Sequence, residues 1–74
     1  MNLYLISQRV NNDYDTYDSA VVCAKNKKEA QNIHPSGFKC NLTWCSSENV
    51  LVELIGQSKK GLKKGVIVAS FNAG

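Results

Sequence analysis

The sequence predicts an α+β fold: a four-stranded, mainly antiparallel sheet with one short helix, in the chain order ββαββ. Three observations predict it. Four short runs place side chains alternately on two faces, one segment opens on a helix cap and closes at a proline, and 74 residues leave room for a single core. Residues 1–74 are therefore read as one small α+β domain. A chain of this size buries only roughly 60% of its unfolded surface, and small domains often add buried area by self-association. A homo-oligomer is the expected state.

The first strand is residues 2–8, with Leu3, Leu5 and Ser7 on one face and Tyr4, Ile6 and Gln8 on the other. The second is residues 19–24, where small Ala20 and Ala24 flank Val22 and leave space for a helix to approach. That helix follows: Asn26 is the cap, Glu29 stands three residues later as in a capping box, and Ala30 and Ile33 share a side. It ends by His34-Pro35, because the residue before proline is pushed out of helical conformation, giving about two turns. Pro35-Ser36-Gly37 is a turn, and residues 38–47 form a polar connector carrying Cys40, Trp44 and Cys45. The third strand is residues 49–55 and the fourth 66–71, separated by the basic segment 56–65. One helix covers one face of such a sheet, yet three of the strands are apolar on both. The second face must be covered by Trp44 and its connector or by another copy of the chain.

Composition separates this chain from disordered proteins: 43% of its residues are hydrophobic and 20% charged. No run approaches the roughly 20 apolar residues of a membrane helix, and the N-terminal residues lack the basic leader of a signal peptide. An odd number of cysteines, Cys23, Cys40 and Cys45, fits no secreted disulfide framework. A cytoplasmic location without membrane contact is expected.

Residues 11–19 carry the densest recognition chemistry. All nine residues hold side chains capable of hydrogen bonding, two are phenols and three are carboxylates, with no glycine, where a hairpin turn needs two to five residues. Asn11, Asn12, Tyr14, Asp15, Thr16, Tyr17 and Asp18 are thus candidate binding residues for a ligand or a protein partner. His34, Ser36, Ser70 and Asn72 are polar groups that would complete a pocket in which aromatic rings stack on a flat ligand while amides and hydroxyls read its edge. Net charge is +3, unevenly spread: Asp13, Asp15 and Asp18 make an acidic pole and Lys59, Lys60, Lys63 and Lys64 a basic one. The dipole suits subunit pairing, and the lysines suit phosphate.

Catalytic patterns are missing. The spacing of His34, Cys40 and Cys45 matches no zinc framework, and the acidic loop lacks the glycine and terminal glutamate of a calcium loop. There is no phosphate-binding glycine loop and no dinucleotide fingerprint. A single histidine gives no nucleophile–base signature. The expectation is binding without catalysis, with no cofactor and no metal.

Tyr4-Leu5-Ile6-Ser7-Gln8, residues 14–22 (YDTYDSAVV), Ile33-His34-Pro35-Ser36-Gly37, Trp44 and residues 65–74 (GVIVASFNAG) together resemble a group of very small phage and prophage proteins of unknown function. The resemblance covers most of the chain. It implies a viral accessory protein acting in the cytoplasm of an infected bacterium, where small proteins without catalytic residues often counter host defence. On that footing the expected function is capture of a nucleotide-derived immune signal. The alternatives are anti-CRISPR-like docking on a host defence protein, with Asp13, Asp15 and Asp18 acting as phosphate mimics, or nucleic-acid binding through the four lysines.

Overall fold

The computed structural model describes residues 1–12, 14–37 and 42–72. Four strands form one fully antiparallel sheet: β1 (Asn2–Ser7), β2 (Thr16–Ala24), β3 (Leu51–Gln57) and β4 (Gly65–Asn72), in the spatial order β3-β1-β2-β4. One short helix, α1 (Lys27–Gln31), lies between β2 and β3. The α+β class with one helix on a four-stranded sheet is as expected. The plain ββαββ order is not met in full, because a 3-10 turn at Ser47–Asn49 intervenes between α1 and β3. β2 also begins three residues earlier than the sequence pattern places it, so Thr16, Tyr17 and Asp18 belong to a strand rather than to a loop.

Alternation along β1 and β2 decides which face is the core. Tyr4, Ile6, Ala20, Val22 and Ala24 are buried on one face, where Ala30 of α1 packs against them. The alanines matter because they let the helix sit close to the sheet. Trp44, only 1% exposed, joins this same cluster with Cys45 and Val50. Among the described residues of the connector, Trp44 and Cys45 therefore complete the helix-covered face, and Trp44 does not cover the opposite face as one of the two expectations had it. Burying a large aromatic is the strongest single contribution available to so small a core.

α1 is five residues long, shorter than the two turns expected. Asn26 caps it, its side chain accepting from the Glu29 amide at 2.8 Å, while the Glu29 carboxylate accepts from the Lys25 amide at 3.0 Å. That is a capping box displaced by one residue. The helix stops at Asn32, before the His34-Pro35 pair.

Two bulges shape the outer strands. Leu3 and Tyr4 of β1 face Gly56 and Leu54 of β3, so Ile55 is an extra residue. Val21 and Val22 of β2 face Val68 and Val66 of β4, which makes Ile67 extra. Gly65 opens β4 at φ 142°, a conformation that side chains strain to adopt, and this glycine lets the chain leave the lysine-rich turn and enter the sheet directly.

Candidate functional site

The polar segment after β1 is organised by Gln8, which is 4% exposed. Its amide nitrogen donates to the carbonyls of Asn11 and Tyr17 at 2.7 and 2.9 Å, and its oxygen accepts from the amides of Val10 and Asn11 at 3.0 and 2.8 Å. A buried amide satisfied on every side fixes the turn. Asn11 then donates to the carbonyls of Leu42 and Trp44, tying the connector down beside the turn. Thr16 is buried, and Tyr17 packs edge-on against Phe71 with ring centroids 4.8 Å apart. Asn11, Thr16 and Tyr17 are thus engaged in holding the fold. Asn12, Tyr14, Asp15 and Asp18 remain exposed, with Tyr14 74% exposed. Asp13 lies outside the described residues.

The far end of β4 closes on this turn. The Asp15 amide donates to the Asn72 carbonyl at 2.6 Å, and Asn72 pairs with Thr16 in register. Asp15 holds φ 62°, a left-handed conformation that aspartate tolerates better than most residues. Ser70 faces Ser19 across the β2–β4 pair, and Ser19 faces Ser7 across β1–β2, so the three hydroxyls form a row. The polar turn, Ser70 and Asn72 therefore share one end of the sheet.

His34 belongs to the other end. It lines an open groove of about 360 Å³ with Asn32, Ile33, Gly37, Lys64, Gly65 and Val66. A neighbouring cleft of about 380 Å³, lined by Asn26, Lys28, Glu29, Asn32, Ile33 and Lys64, continues it along α1. Lys64 reaches Glu29 at 3.9 Å across this cleft. Ile33 and Val66 supply apolar surface, and Lys28, Lys64 and the His34 imidazole supply cationic and hydrogen-bonding groups. Lys59, Lys60 and Lys63 are exposed on the β3–β4 turn. Ser36 sits half-buried in the turn after His34.

Within one chain the expected composite pocket is therefore split. Gly65 pairs with Cys23 and Asn72 with Thr16, and the seven residue steps between them span about 23 Å. The sequence could not show this, because both halves are polar and only the strand register separates them. Gln8 was also missed as an organiser. Its signal was available: an amide on the core-facing side of a strand end.

The second face of the sheet is open. Leu5, Val21 and Val68 lie side by side across β1, β2 and β4, and Glu53 of β3 ends their row. Val68 is 59% and Leu51 52% exposed, and a shallow depression lined by Leu5, Val21, Val68, Ser19 and Ser70 marks the centre.

Cys23 and Cys45 are free thiols, both buried, and burial raises the Cys45 pKa above its ordinary value. Cys40 lies outside the described residues. Among the described residues no group of three histidine, cysteine or acidic side chains converges as a metal site. None of their helices is long and apolar enough to cross a membrane.

No protein-family model, curated protein or solved structure matches the chain.

Proposed function

We propose that this chain is a non-catalytic binding protein that takes a nucleotide-like, phosphate-bearing ligand in the groove between α1 and the start of β4. The observation that carries the reading is the meeting of His34 and Lys64, thirty residues apart in sequence, over Ile33 and Val66 in one groove of about 360 Å³. That volume lies in the range of small-molecule sites, and an apolar floor with a few polar and cationic groups is the composition such sites share. Lysine binds phosphate as a point charge, and His34 and Asn32 add donors beside it. In the setting implied by the resemblance to phage accessory proteins, the ligand is a nucleotide-derived immune signal of an infected bacterium, sequestered and not degraded. Calorimetry with cyclic dinucleotides and ADP-ribose derivatives tests this. A saturable signal is expected, weakened at least about tenfold in Lys64→Glu, the scale of losing one charge-assisted contact. Silence across the panel overturns the reading.

A second reading is favoured by the open sheet face, whose contiguous apolar surface is the kind of patch that marks protein interaction sites. On this reading the chain docks through that face on a host defence protein and occludes it. Capture from infected lysate should recover one stoichiometric partner with the wild-type chain and none with Leu51→Lys; equal recovery by both overturns it.

A further inference from the structure

We infer that two copies of this chain pair antiparallel through their β4 edges, and that each groove is completed by the polar turn of the other copy. β4 is an edge strand of eight residues, and an edge presents unpaired amides and carbonyls that invite another strand. Natural edges are blunted by charge, proline or bulges. β4 contains no charged residue and no proline, and Val66, Ile67, Val68 and Phe71 are 37–59% exposed along it. The other edge, β3, is defended: self-pairing about its middle residue, Leu54, would make the two Glu53 residues diagonal neighbours with backbone positions about 7–8 Å apart, like charges on the same face. Both edges carry a bulge, so charge is what distinguishes them.

Antiparallel pairing also sets opposite charges together. A two-fold axis at Ala69, the middle of Val66–Asn72, places Val66 opposite the partner's Asn72. β4 then runs parallel to the partner's β2, so Lys64 and Gly65 come level with the partner's Tyr14 and Asp15 at two strand spacings, about 10 Å. A lysine side chain spans most of that distance, which brings its charge closer than the Debye length of about 8 Å at physiological salt. The basic end of each chain meets the acidic end of the other, twice per dimer. The same geometry closes the 23 Å gap that separates the two halves of the polar chemistry within one chain: the exposed Tyr14 ring of one copy stands beside the groove of the other. This deepens the groove reading, while the pairing itself stands on strand edges and charge alone.

Sedimentation equilibrium on the full chain tests it. Wild type should reach twice the 8.2 kDa monomer mass. Val68→Lys, at an exposed position where the folded monomer tolerates a lysine, should stay at monomer mass with an unchanged circular dichroism spectrum. Asp15→Lys and Lys64→Glu should each weaken dimerisation at least about tenfold, because each replaces two attractive contacts with two repulsive ones, and the double variant should recover wild-type dimerisation. Monomeric wild type, a Val68→Lys dimer, or a double variant no better than the singles would overturn the pairing. A dimer that binds none of the nucleotide panel defeats the groove reading alone, whereas a monomer that binds defeats the pairing alone.

Discussion

The two faces of this sheet are made of similar residues and have opposite fates. Tyr4, Ile6 and Val22 are at most 3% exposed beneath α1 and Trp44, whereas Val68 and Leu51, no less apolar, are more than half exposed on the other side. Hydrophobicity alone does not choose between them. Small residues do: Ala20, Ala24 and Ala30 allow α1 to come close on one face, and once the helix is there the connector that follows it delivers Trp44 to the same side. The open face keeps Ser7, Ser19 and Ser70 in one row and Glu53 at the end of another, whereas the buried amide of Gln8 on the covered side is hydrogen-bonded through both its nitrogen and its oxygen. One face is buried as the core and the other stays exposed.

That contrast can be broken at its strongest point first. Trp44→Ala should destabilise the fold by about 3–5 kcal/mol, the usual cost of emptying a buried aromatic site, read as a lowered denaturation midpoint. A loss under about 1 kcal/mol would mean that the connector is not part of the core. The indole N–H has no hydrogen-bond partner among the described residues, so Trp44 contributes through its volume. At the other end of the scale, Leu51→Thr on the open face should change monomer stability by no more than about 0.5 kcal/mol in urea titrations, as for exposed positions generally. A loss as large as that of Trp44→Ala would show that this face is already packed within one chain.

Much of the fold is legible in the residues. The period-two alternation of β1, the alanine spacing of β2, the Asn26 cap and the proline stop locate the elements to within a few positions. The start of β2 was obscured because Thr16, Tyr17 and Asp18 look like turn residues; Thr16 and Tyr17 pair with Asn72 and Phe71, far away in sequence, and Asp18 is the extra residue of a register shift before Ser19. The destination of Trp44 was equally hidden, since a connector's composition does not say which face it crosses. The candidate site was legible as an inventory and not as a geometry. His34 and Lys64 were both singled out by their chemistry, but their meeting depends on β4 pairing with β2 so that Gly65 lies beside Cys23.

The unequal edges of the sheet give the most direct measurement of the central claim, that the uncharged edge strand left open by one chain is paired by a second. Amide hydrogen exchange, followed strand by strand at low and high protein concentration, compares β4 with β3. The account predicts that β4 amides become more protected as concentration rises while β3 amides do not change, because only the uncharged edge is paired. Equal, concentration-independent exchange in both edge strands would contradict it.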